Sequence, residues 1–302
     1  MSEITRRRFL AAGAAGAAAA AGAGTGIAAL LSAGNAHAAS RDASPPTASF
    51  RHSVCRWPYR QLTVEQLARM AQELGLDSVE LLEPDEWAVA RRHGLTCAMG
   101  YATVPDPGSR LTRGFNRVDN HAWLVPAYER AIPLAAAAKV PNLICFSGNR
   151  GGMSDDEGLD ACARGLAALM PAAERHGITI CMELLNSRVD HPDYQCDRTP
   201  WGVALVKRIG SDRFRLLYDI YHMQIMEGDV IRTIRENHKH IAHYHTAGVP
   251  GRHEIDATQE LNYPAIMRAI AATGFTGYVA QEFIPTRDPR TALAEAVRIC
   301  RV

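Results

Sequence analysis

Four residues in the second half of the chain carry the clearest chemical signal. Glu183 closes the apolar run Ile178-Thr-Ile-Cys-Met-Glu183, Asp219 closes Leu216-Leu-Tyr-Asp219, His245 closes Ala242-His-Tyr-His245, and Glu282 closes Tyr278-Val-Ala-Gln-Glu282. Successive members lie 36, 26 and 37 residues apart. Each interval is the length of one strand-plus-helix unit, so four consecutive strands would deliver one side chain each to the same end of a sheet. Three carboxylates and an imidazole form a hard, oxygen-rich donor set that suits one divalent ion. Manganese, magnesium or cobalt suits it better than a thiolate-loving metal, and zinc is also acceptable. Without a cation, three negative charges converging in a partly dry site would repel one another strongly.

The elements that must position these residues follow from the alternation of the chain. After residue 45, short β-branched apolar runs alternate with stretches whose apolar residues recur at three- and four-residue spacing, the pattern of repeated βα units. Strands are expected at His52–Trp57, Ser78–Leu82, Thr96–Tyr101, Asn142–Ser147, Ile178–Leu184, Phe214–Ile220, Ile241–Thr246 and Tyr278–Phe283. Helices are expected between them, among them one long helix over Glu157–His176 and others punctuated by Thr63 as N-cap and Gly75, Gly94, Gly177 and Gly274 as closing residues. Eight strands and eight helices in strict order predict a closed (β/α)8 TIM barrel, whose active site lies where the strands end. Glu80, Trp57 and Tyr101 fall late in the first three strands and are candidates to line the pocket, the aromatics by stacking on a substrate face. Asn186 to Tyr194 forms a long polar loop beside Glu183 and reads as a lid or specificity loop.

Composition narrows the class. Of 302 residues, 33 are basic and 32 acidic, 47% are hydrophobic and 22% charged, a profile of a globular chain with no electrostatic reason to bind nucleic acid. Seven cysteines without a CxxC pair argue against a disulfide framework or structural zinc. Most fall in apolar runs and read as core, with a pairing of Cys196 left open. Thr5-Arg6-Arg7-Arg8-Phe9-Leu10, an Ala/Gly-rich stretch, and Ala36-His37-Ala38 resemble a twin-arginine (Tat) export signal over residues 1–38. That predicts a disordered linker over 39–49, a barrel over 50–302, export in folded form, and a periplasmic location. No later segment approaches the about 18 apolar residues needed to span a bilayer.

Glu183-Leu-Leu-Asn186, Tyr218-Asp219-Ile-Tyr-His222-Met-Gln, His243-Tyr-His245-Thr and Val249-Pro-Gly-Arg252-His-Glu254 resemble the hydroxypyruvate isomerase and ketose 3-epimerase branch of the xylose isomerase-like TIM barrels. The resemblance implies that Glu183, Asp219, His245 and Glu282 bind one divalent metal, commonly manganese. It further implies that Glu183 and Glu282 act as the acid/base pair, and that His222 and Arg252 contact substrate. Its chemistry has a physical basis. A proton beside a carbonyl becomes removable only when the developing enediolate is stabilised, which a chelated cation does as a Lewis acid. Return to the adjacent carbon isomerises, and return to the original carbon from the opposite face epimerises. The expected function is a metal-dependent isomerase or epimerase of a small hydroxy-carbonyl compound, a sugar first. A 3-keto-glycoside lyase using the same metal and bases, or a non-catalytic sugar-binding barrel, are the alternatives. A homo-oligomer is left open.

Overall fold

The computed structural model describes residues 50–302. The export signal and linker expected over residues 1–49 lie outside the described residues.

Eight apolar runs become strands because nearly every residue in them is buried on both sides, as a parallel sheet covered by helices requires. These are β1 (Arg51–Cys55), β2 (Ser78–Glu80), β3 (Met99–Gly100), β4 (Asn142–Cys145), β5 (Thr179–Glu183), β6 (Phe214–Asp219), β7 (Ile241–Thr246) and β8 (Tyr278–Gln281). All pairings are parallel, in the order β2-β1-β8-β7-β6-β5-β4-β3. Isolated parallel bridges, Ser78 to Thr96 and Leu82 to Gly100, join the two ends of that order. The result is the nearly closed TIM barrel that the alternation predicts. The β2–β3 seam is the weak one. Leu81 sits at φ +57°, which breaks the extended run of β2, and the Trp87 ring fills the space where a side chain on Gly100 would stand.

Among the described residues ten α-helices surround the sheet: α1 (Val64–Glu73), α2 (Trp87–Arg92), α3 (Val118–Ala138), α4 (Asp155–Ala167), α5 (Met170–His176), α6 (Thr199–Ile209), α7 (Ile220–Met226), α8 (Val230–Asn237), α9 (Tyr263–Ala272) and α10 (Pro289–Cys300). Capping boxes fix two starts, Thr63 with Gln66 on α1 and Ser154 with Glu157 on α4. The single helix expected over Glu157–His176 is instead α4 and α5. Pro171 lacks an amide hydrogen and sits in the first turn of a new helix. The strands also end earlier than their apolar runs, so Trp57 lies in a 3-10 turn past β1 and Glu282 lies just past β8. Helix α7 has no apolar stripe long enough to announce it. It forms because the Asp219 carboxylate caps it, accepting from the amides of Tyr221 (2.8 Å) and His222 (3.3 Å).

The seven cysteines are all buried and free, so Cys196 packs as core and pairs with nothing. Among the described residues no helix is long and apolar enough to cross a membrane.

One glycine contact ties the frame to the loops above it. Gly148, just past β4, has φ +92°, and a Cβ there would lie 2.5 Å from the Gly114 amide nitrogen. Its carbonyl accepts from Gln195 N at 2.9 Å, anchoring the end of the polar loop that begins at Asn186. Gly148→Ala combines backbone strain with overpacking, at a cost of about 1–3 kcal/mol. At about 2–4 °C per kcal/mol for a domain of this size, the thermal midpoint should fall by several degrees, as calorimetry would register.

Candidate active site

Register sets the geometry of the strand ends. Asp219 and His245 are direct cross-strand partners on β6 and β7. Glu183 ends β5 opposite Leu217, two residues short of Asp219, and the amide of Glu282 donates to Thr246 O at 2.9 Å just beyond β8. One ligand atom from each of Glu183, Asp219, His245 and Glu282 lies within 4.8 Å of all the others, and all four residues are buried. The expected quartet is therefore brought to one point.

That point is electrically severe. Two carboxylate charges 4.8 Å apart repel by about 3–4 kcal/mol even at an effective dielectric of about 20. Three such pairs approach the whole stability of a domain, about 5–15 kcal/mol. The chain's own answer is to gather positive charge and retain protons. Burial pushes the carboxyl of Glu183 up and that of Asp219 well up. Burial opposes the charge on Glu282 too, but His245 and Arg252 hold its carboxyl well below the ordinary range. For His245, burial would favour the neutral ring, yet Cys55 and Glu282 beside it raise its proton affinity well above normal. Oε1 of Glu183 is buried with no hydrogen-bond partner among the described residues. An orphaned acceptor, two further carboxylates and an imidazole fit a divalent cation.

Arg252 belongs to this cluster. Its Nη2 lies 2.6 Å from Glu282 Oε2 and 3.3 Å from Asp219 Oδ2, and its guanidinium stands over the rings of Trp57 and Tyr221 at 5.0 and 5.3 Å. The residue has φ +59°, an uncommon conformation for a non-glycine residue. Two backbone bonds hold it there, Arg252 N to Gly248 O (2.9 Å) and Ile284 N to Arg252 O (2.7 Å). Glu254, in the same loop, accepts from Thr286 and Arg287 and so anchors the loop from outside the site.

Above the quartet lies a cavity of about 430 Å³, lined by Glu183, Glu282, Trp57, Tyr101, His191 and Arg252 among others. Asp219 and His245 are not among its lining residues. The Trp57 indole donates to Glu282 Oε1 at 2.7 Å, leaving Oε2 to His245 and Arg252.

Two expected pocket residues are placed differently. Glu80 is fully buried and does not line the cavity. Its Oε1 lies 2.8 Å from His243 Nε2 and 2.9 Å from His245 Nε2, turned to the buried rings of β7. Burial opposes its ionisation, but the two imidazoles hold its carboxyl at about 2. His222, expected on the loop beyond the sixth strand, lies inside α7 and is fully buried. Asn186 Nδ2 donates to its Nδ1 at 2.7 Å, and its Nε2 stands 3.5 Å from Asp219 Oδ2. Burial and Arg252 keep its ring neutral by lowering its proton affinity well below normal. With Nδ1 accepting, the ring proton sits on Nε2, facing the acidic cluster.

His191, Arg60 and Arg110 also line the cavity and were not singled out by sequence. His191 lies in the polar loop after β5, which offered a signal. Arg110 had none: it is oriented by Glu83 at 2.7 Å and by the face of Tyr101 at 4.3 Å, both set by tertiary packing.

Comparison with known proteins agrees with this architecture. The profile of the family described as xylose isomerase-like TIM barrel matches residues 46–301. A 2-oxo-tetronate isomerase of Cupriavidus necator is 38% identical over 120 residues, covering 40% of this chain and 45% of that protein, so the match spans less than half of that relative's length. A human protein provisionally named as a hydroxypyruvate isomerase is 28% identical over 242 residues, 77% of this chain and 78% of its own. Among solved structures, an AP endonuclease of family 2 from Brucella melitensis superposes with TM-score 0.73 at 26% identity, covering 82% of this chain and 99% of that one. A D-psicose 3-epimerase superposes with TM-score 0.65 at 16% identity over 82% of this chain and 90% of its own, a likeness of fold.

Arg252→Gln removes the guanidinium from two buried carboxylates. Breaking such a pair costs about 3–5 kcal/mol, and the loss should be largest in chelator-treated protein. Thermal unfolding with and without added Mn2+ checks this: the gap between the two midpoints should be wider in the variant than in the wild type.

Proposed function

The chain belongs to the xylose isomerase-like TIM-barrel family, and from that premise we propose that it is a divalent-metal-dependent isomerase or epimerase of a small hydroxy-carbonyl compound, acting by proton transfer beside the carbonyl. The observation that carries this reading is the convergence of Glu183, Asp219, His245 and Glu282 within 4.8 Å at the floor of a cavity. These four would hold the ion, manganese, magnesium or cobalt by donor type and manganese first by family resemblance. When bound, such an ion supplies the positive charge that makes a C–H beside a carbonyl acidic.

The remaining work falls to the chain's own groups. Glu183 and Glu282, the two members of the quartet that line the cavity, are the pair suited to take a proton from one carbon and return it. Trp57 fixes Glu282 through its Oε1. Arg252 is placed to steady a substrate oxygen, while His222, buried behind the cavity, turns its Nε2 proton toward Asp219 at 3.5 Å. Leu81, Tyr101, Phe146 and Leu185 line the cavity and keep water from the reacting carbon. The names of the relatives favour a sugar or sugar acid, with hydroxypyruvate and 2-oxo-tetronate types to be tried beside free ketoses. A 3-keto-glycoside lyase shares the first proton transfer and differs in expelling an aglycone.

Incubation of these candidates in deuterated water tests the assignment. The expected result is deuterium on a carbon next to the carbonyl, abolished in Glu282→Gln while the circular dichroism spectrum is retained. Wild-type turnover in that variant would remove Glu282 from the mechanism.

The Tat-like leader supports export in folded form to the periplasm, the barrel starting near residue 50. Protein recovered from the periplasm should begin at Ala39, and replacing Arg6 and Arg7 together by Lys should leave it in the cytoplasm. A mature chain that retains Met1 would refute the cleavage.

A further inference from the structure

Resting on the reading of the quartet as a cation site, we propose that Glu80 is a positioning residue of that site: it accepts the Nε2 proton of His245 and thereby turns the Nδ1 lone pair of that ring toward Glu183, Asp219 and Glu282.

Glu80 ends β2, paired in register with Cys55 of β1, on the side of the chain remote in sequence from β7. A glutamate with no exposed surface, away from the cavity, needs a reason to be there, since a buried charge is tolerated only when it is well partnered. Its Oε1 faces two imidazole nitrogens, His243 Nε2 at 2.8 Å and His245 Nε2 at 2.9 Å, while its Oε2 has no partner among the described residues. Its short hydrogen bonds are both directed at the two rings, the Cys55 thiol adding a longer contact to the same Oε1 at 3.8 Å. An ionised carboxylate only accepts, so each ring must carry its proton on Nε2.

For His245 the consequence is chemical. The opposite nitrogen, Nδ1, lies 2.9 Å from Glu282 Oε2 and 3.4 Å from Glu183 Oε1, inside the acidic cluster. Once the Nδ1 proton shared with Glu282 is given up to solvent on cation binding, the ring is neutral, keeps its proton on Nε2 and has its lone pair at Nδ1, aimed where the cation would sit. The arrangement is a carboxylate behind a ligating imidazole, which fixes the tautomer and ring angle and raises ligand basicity. His243, two residues earlier on β7, points to the same side of the strand, and its ring meets that of His245 edge to face at 5.2 Å. It gives Oε1 a second donor and limits where the carboxylate can turn. Separations of 2.8 and 2.9 Å are ordinary hydrogen bonds, and they favour this reading over a second ion held between Glu80 and the two rings.

The test compares wild-type protein with Glu80→Gln, both stripped with chelator and titrated with Mn2+ by calorimetry. The variant should bind about 10–100-fold more weakly, while the wild type binds one ion per chain. Affinity within about twofold of wild type overturns the proposal, as does a second ion per chain that the variant loses. Should the variant fail to fold, the nitrogen-15 imidazole spectrum of Zn2+-loaded wild type decides alone. His245 is expected to ligate through Nδ1 and carry its proton on Nε2, and the reverse assignment overturns the role given to Glu80. Wild-type protein that takes up no divalent cation refutes the site reading itself, a result distinct from unchanged affinity in the variant.

Discussion

Repulsion among three buried carboxylates governs this molecule's active end. Ligand atoms of Glu183, Asp219 and Glu282 share a space 4.8 Å across with that of His245, where water cannot screen them. Uncompensated, their mutual energy is of the order of the folding free energy itself. Much of the surrounding structure is intelligible as compensation. Arg252 is held in a left-handed conformation so that its guanidinium reaches two of the carboxylates. His245 is buried between Glu282 and Glu80, and Asp219 directs its other oxygen to the first amides of α7.

Asp219 illustrates how closely fold and site are joined. The same carboxylate is a helix cap and a member of the quartet, so β6, α7 and the acidic cluster share one group. His222 is brought into the site by that helix and held by Asn186, whose carbonyl oxygen also turns the start of the polar loop through Val189 and Asp190. The loop's far end is tied down by Tyr194, whose hydroxyl donates to Glu183 O and accepts from the amide of Ser147. The loop, which contributes His191 to the cavity wall, is thus pinned at both ends by residues adjoining the site.

The strand-and-helix alternation was legible because apolar periodicity and caps act within one turn or one strand. Its errors have the same origin. Pro171 interrupts a helix whose apolar pattern runs on through it, and the strands stop before their apolar runs do, since burial continues into the loops beyond them. Glu80 was recognisable as a polar residue at a strand end but not as one facing away from the cavity. β2 is short, and where its last residue points depends on its register with β1 and its bridges toward β3, which no local pattern encodes.

What the chain alone determined is the inventory and order of the site. A polar residue closing an apolar run stands out against its neighbours, and a repeat of one βα unit places four such residues on adjacent staves. Tertiary structure decided which groups meet across the barrel. The bonds from Glu80 to His243 and His245 join residues 163 and 165 apart in sequence, and Trp57 reaches Glu282 across 225. Such contacts exist only once the first and last strands pair, because closure of the sheet converts distance along the chain into proximity across its axis.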